Sequence, residues 1–305
     1  MPFFMIMFDY IYATNMKTRL YLTIVAIFCA SLAQGQRYQL NFLPTHYTDD
    51  PLDELTYTSY GINMISNNVY GGRKDSMGMP YIGGYISHTI ANGFYGKFSF
   101  NYAPNGRNGR FDKWSGELGY DRTFGYHWLT GAWYEYNKYY EHSTNPMVGY
   151  TGVFGLYGTY RNKSVEPYFS YVSYSGKASD YAITLGISHN MRYRDNTLNI
   201  YPSLVLNFGS TNFYSYFMKN KYFVYNHADV NTATIITDGG NLKGLNAEFS
   251  AKTRWINGDF MYTFKPAWII PLSTEKIMAQ PKPFTETLKT SLVLELDVCY
   301  RHERK

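Results

Sequence analysis

Residues 94–102 read Phe94-Tyr95-Gly96-Lys97-Phe98-Ser99-Phe100-Asn101-Tyr102, with Phe94, Phe98, Phe100 and Tyr102 on one parity and Tyr95, Lys97, Ser99 and Asn101 on the other. A period of two puts one set on each face of a β-strand, one face greasy and the other wet, and no helix produces it. A tilted strand needs about 9 to 11 residues to cross the hydrocarbon of a bilayer, which is the length of this stretch.

Working outward, the same alternation marks twelve candidate strands: Leu55 to Ile65, Pro80 to Ile90, Phe94 to Tyr102, Lys113 to Asp121, Tyr126 to Asn137, Val148 to Tyr160, Val165 to Tyr174, Tyr181 to Asn190, Leu198 to Phe208, Leu245 to Trp255, Asp259 to Trp268 and Leu288 to Tyr300. Every second connection is a tight turn, such as Ala91-Asn92-Gly93 or Ile256-Asn257-Gly258. The others are mostly long, notably Ser66 to Met79, Lys138 to Met147, Gly209 to Gly244 and Ile269 to Thr287, with Ser175 to Asp180 the short exception. Short turns on one rim and long loops on the other predict an all-β fold, a closed antiparallel up-and-down transmembrane β-barrel of about twelve strands with both termini in the periplasm.

Composition agrees. The chain of 305 residues holds 33 Tyr, 20 Phe and 26 Gly, yet only 17% of it is charged. Beyond the N-terminal region no apolar run is long enough for a transmembrane helix, whereas a barrel exposes only half of its strand residues to lipid. From Met16 the sequence MKTRLYLTIVAIFCASLAQGQ shows a basic start at Lys17 and Arg19, an apolar run from Leu20 to Ala30 and a small-x-small cleavage site at Ser31-Leu32-Ala33 or Ala33-Gln34-Gly35. Residues 1–35 therefore read as an export signal with an over-extended start and a true initiator near Met16. The expected organisation continues with a periplasmic segment 36–54, a barrel 55–300 and a periplasmic tail 301–305. Cys299 is the one cysteine past the signal, so no intrachain disulfide or thiolate zinc site is expected. The net charge of +5 is spread over turns and lumen positions, which excludes a nucleic-acid patch.

Strand parity sorts the faces. Trp114, Leu118 and Tyr120; Phe154 and Leu156; Tyr181, Ile183, Leu185 and Ile187; Phe260, Tyr262, Phe264 and Trp268; and Leu292, Leu294, Leu296 and Val298 are expected outside. Tyr102, Tyr120, Tyr136, Trp255, Trp268 and Tyr300 are placed for interfacial girdles. Pro80 to Ile90 is ambiguous, and Pro202 and Pro266 predict bulges or local irregularity. Inward parity collects Lys97, Glu117, Glu135, Glu166, Glu248, Lys252, Arg254, Asp259, Lys265, Glu295 and Asp297, a set that reads either as a selective constriction or as a salt-bridged filling. Tyr214, Tyr216, Phe217, Tyr222 and Tyr225, in the loop 209–244, are candidates for a lid over the mouth.

On this architecture the chain resembles a bacterial outer-membrane β-barrel protein of about twelve strands. The resemblance covers nearly all of the mature sequence and rests on pattern, with no residue motif. It implies a home in the outer membrane after signal-dependent export, lipid as a partner, and insertion by the barrel-assembly machinery. The alternating end Leu294, Leu296, Val298 and Tyr300 fits the terminal strand of such families, but Arg301-His302-Glu303-Arg304-Lys305 follows and departs from it.

Chemistry is sparse. A phospholipase of this architecture would need adjacent Ser and His, and Ser87-His88 and Ser188-His189 point to opposite faces of their strands. His142-Ser143 sits in a loop with no third partner implied by spacing. The acidic run Thr48 to Glu54 lacks calcium-loop spacing, and Gly71-Gly72-Arg73-Lys74 and Gly106 to Arg110 read as exposed loop tips. No catalytic residue, metal or cofactor is assigned. The leading reading is a channel or transporter for small polar solutes, followed by a non-conducting structural or adhesive barrel and then an outer-membrane lipid hydrolase. Oligomeric state is not readable from the chain.

Overall fold

A computed structural model describes residues 56–303, apart from residues 68, 75–79, 105–108, 126, 141–142, 144, 146, 162–164, 194–196, 213–232, 236–238, 275, 280–283 and 286–287. Twelve long strands follow one another: β1 (Tyr57–Ile65), β2 (Tyr81–Thr89), β3 (Phe94–Ala103), β4 (Arg110–Phe124), β5 (Trp128–Tyr139), β6 (Tyr150–Tyr160), β7 (Glu166–Gly176), β8 (Asp180–Ser188), β9 (Leu198–Gly209), β10 (Lys243–Asn257), β11 (Phe260–Pro271) and β12 (Ser291–Glu303). Each pairs antiparallel with its neighbours in sequence, and β1 pairs with β12 from Tyr57↔Glu303 to Ile65↔Glu295. The sheet is thus a closed barrel without an edge, apart from the short strand Met191–Tyr193, which adds to β9 at the short-turn rim. Closure satisfies every backbone ladder internally, the condition for a sheet to lie in lipid.

Register fixes the faces that the sequence pattern left open. Tyr57↔Thr89 and Gly61↔Tyr85 place Tyr81 and Tyr85 inside, leaving Ile82 and Ile86 outside. The outer surface carries Leu118 at 71% exposed, Ile62 at 60% and Trp268 at 51%, exposures that only a hydrocarbon environment makes favourable for side chains of this kind. Near the short-turn rim Trp255, Tyr262, Phe260, Tyr300 and Tyr60 form a chain of rings with successive centroids 5.2 to 6.5 Å apart across β10, β11, β12 and β1. Nearer the other rim Phe98, Trp114, Phe100, Phe111 and Tyr102 make a second cluster. These are two aromatic girdles.

The two prolines bring the local irregularity expected of them. Pro202 stays in register with Ala251 on one side, whereas on the other the ladder breaks after Ser188↔Ser203 and resumes in the same register at Met191↔Ile200, with the Pro202 carbonyl still accepting from His189 N. Pro266 interrupts the β10–β11 pairing between Ser250↔Ala267 and Thr253↔Phe264 while keeping its place opposite Leu294 in β12. The shifts of register lie elsewhere, at Asn101/Tyr102, Tyr150/Gly152 and Asn207/Phe208. The end departs from the expected tail: β12 continues through Arg301 to Glu303, paired with Ser59, Thr58 and Tyr57, so these residues belong to the barrel wall. The segments expected as signal and periplasmic linker, including the acidic run, lie outside the described residues.

Candidate channel lumen

The inner wall takes alternate residues from each strand, and the bulge in β4 brings Asp112 and Lys113 inward together, both nearly inaccessible. Lys97, Glu117 and Glu135 lie directly opposite one another on β3, β4 and β5. Two facing carboxylates would repel, and cations flank them: Lys113 Nζ is 2.7 Å from Glu135 Oε1 and Lys97 Nζ is 3.9 Å from Glu117 Oε2. The Tyr95 hydroxyl donates to Glu117 at 2.8 Å. On the far wall Lys265 faces Glu295 and lies 3.2 Å from Glu248. Glu166, Lys252, Arg254 and Asp297 also face inward by register. Asp259 does not; it lies exposed in the turn between β10 and β11, where its carbonyl accepts from Arg301 N. The parity pattern could not see that the strand starts one residue later.

Five inward glycines give the wall its relief. A Cβ added to Gly61, Gly119, Gly131, Gly155 or Gly186 would strike the ring of Tyr85, Tyr95, Tyr157, Trp133 or Tyr168 on the adjacent strand. Each ring therefore lies flat along the wall over its neighbour's backbone, and does not stand across the lumen.

The long-loop mouth is narrowed by a segment that the sequence reading took for an exposed tip. Val69–Tyr70 and Arg73–Lys74 form a small hairpin whose turn glycines have φ of 56° and 79°, values that suit Gly-Gly and strain other residues. Val69, Tyr70, Gly71 and Gly72 are all buried. The Tyr70 ring meets Tyr174 of β7 edge-on at 5.8 Å and packs in the cluster that includes Tyr150, Trp133 and Val153, on the wall opposite β1. Behind it, Gly72 abuts Pro271 and the Leu245 carbonyl. The hairpin thus crosses the mouth. Its sequence signal was the Gly-Gly pair between Val69-Tyr70 and Arg73-Lys74, the usual mark of a tight hairpin. The lid candidates Tyr214, Tyr216, Phe217, Tyr222 and Tyr225 lie outside the described residues. Strand Ala233–Ile235 pairs with Lys276–Ala279, which pairs with Phe284–Thr285, joining the two longest loops.

Buried carboxylates that the sequence reading missed tie down this rim. Asp112 accepts from Tyr81 at 3.0 Å and from Ser143 at 2.7 Å, and Arg110 Nε lies 3.2 Å away. Asp180 accepts from the hydroxyls of Tyr150 and Ser210 and from Asn212 N. The hydroxyl of Ser143 is committed to this latch, and His142 lies outside the described residues. Ser87 faces the lumen while His88 meets Thr58 Oγ1 at 2.9 Å on the outside, so that pair is split between faces as its strand requires.

A closed twelve-stranded barrel with an aromatic-girdled exterior and a charged interior is the architecture of the bacterial outer-membrane barrels, and this chain resembles them. Among solved structures it is similar to the KdgM porin, with 10% identity over 79% of this chain and 98% of that one and a TM-score of 0.45. It is likewise similar to the β domain of the Bordetella autotransporter BrkA, at 9% identity, 81% and 99% coverage and a TM-score of 0.45. LpxR from Salmonella typhimurium matches at 8% identity, 79% and 99% coverage and a TM-score of 0.41. No family model and no curated protein matches the chain.

Proposed function

We propose that this protein is an outer-membrane channel for small polar solutes, with the lumen charges setting selectivity and the Val69–Lys74 hairpin narrowing the outer mouth. The observation that supports the reading is the flat seating of five large rings over glycines, which keeps their bulk against the wall between the charged faces of β3–β5 and β10–β12. Outward Trp, Tyr and Leu side chains support a seat in lipid, with the long loops facing outside.

A second reading, a non-conducting barrel acting through its loops, draws on the hairpin itself, since Tyr70 is 1% exposed and reaches the far wall. Conductance of the purified protein in planar bilayers separates the two. Stepwise currents are expected; a folded barrel silent in every salt would sink the channel and leave the second reading. A lipid hydrolase, the third reading, predicts deacylation of vesicles by the same preparation, and the latch between Ser143 and Asp112 gives no support to it.

A further inference from the structure

At the short-turn end of the lumen the wall of β7–β10 gathers basic side chains around one buried carboxylate. Arg192 pairs in register with Asn199, and Asn199 with Arg254, so two guanidinium-bearing residues flank one amide on three adjacent strands. Lys252 follows on the same face. Its ammonium and the Arg254 guanidinium sit 5.0 and 5.2 Å from the centre of the Tyr201 ring, and Arg254 donates to the Tyr201 hydroxyl. Glu166, at the start of β7, is 3% exposed and lies within electrostatic range of Arg161, Arg192, Lys252 and Arg254. Its Oε2 is buried and finds no hydrogen-bond donor among the described residues. Arg161, Arg192, Lys252 and Arg254 all act on this one carboxylate, Glu295 also acts on Lys252, and the Glu166 carboxylate retains an acceptor to be satisfied.

We infer that this cluster is a binding site for a small oxyanion that brings its own hydrogen-bond donor, dihydrogen phosphate being the simplest example. The cations supply attraction for the anion, and Glu166 demands an O–H from it, since an anion made only of acceptors would face the carboxylate lone pairs. The inference deepens the channel reading by naming the solute class, but the site can bind whether or not the barrel conducts.

Calorimetric titration of the full chain in detergent at about pH 6, with inorganic phosphate and with sulfate, tests it. Phosphate should bind at least about tenfold more tightly than sulfate, the penalty expected for a buried acceptor left unmatched. Glu166→Gln, whose amide can donate, should remove that preference, and the double variant Lys252→Gln/Arg192→Gln should weaken both anions. The folded-band migration of each variant on unheated gels confirms that it is a barrel. Equal binding of sulfate and phosphate, a preference that survives Glu166→Gln, or no binding of either overturns the inference. Binding without current removes the channel and keeps the site, whereas current without binding does the reverse.

Discussion

At the scale of single residues, what decides the interior is where large side chains can lie. Trp133 is 5% exposed although it faces the lumen, because its indole rests on the bare backbone of Gly155 across the β5–β6 pairing. Gly155→Ala is expected to lift the indole from its seat, costing about 1 to 3 kcal/mol as overpacking does, and to lower the temperature at which the folded band is lost on gels. An unchanged melting point would show that the ring does not depend on the glycine. The Lys113–Glu135 pair is the counterpart in charge. Lys113 is 2% exposed, and Lys113→Met leaves Glu135 buried with its nearest cation gone, an expected loss of about 3 to 5 kcal/mol. Adding Glu135→Leu should recover most of that loss in urea unfolding, since an apolar pair needs no desolvation of charge.

At the scale of elements, the inserted hairpin is held by packing at its tip and not by the barrel ladder. Tyr70 touches rings that belong to β6 and β7, and Gly72 behind it abuts the ends of β10 and β11. Tyr70→Ala should therefore free the hairpin without unfolding the barrel, raising single-channel conductance roughly twofold or more while leaving the unfolding transition of the sheet in place. A smaller or unchanged current would mean that the constriction lies elsewhere. The hairpin was legible in Gly71-Gly72 as a tight turn, but its insertion was not, because nothing local tells a loop which way to fold when its partners lie across the barrel. The same holds for Asp112 and Asp180, whose hydroxyl donors come from 30 or 31 residues away along the chain.

At the scale of the molecule, the closed sheet sets apart two environments, and the tryptophans report on both. Trp114, Trp128, Trp255 and Trp268 are 40% to 53% exposed on the outside, while Trp133 faces in. Brominated lipids should quench most of the fluorescence of the reconstituted protein and spare a variant that retains only Trp133. Strong quenching of that variant would contradict the inside-outside assignment. The amino-acid sequence by itself determined the strand number, the alternation of faces and the segregation of short turns from long loops, because a period of two and a lipid exterior act residue by residue. It also assigned inward many of the charges that do face in, along with Asp259, which does not. Only the tertiary structure decided the pairing of those charges, the bulge that turns Asp112 and Lys113 inward, the seating of rings over glycines and the passage of Tyr70 across the mouth. Each of these depends on register and closure, which bring together residues that no local spacing relates.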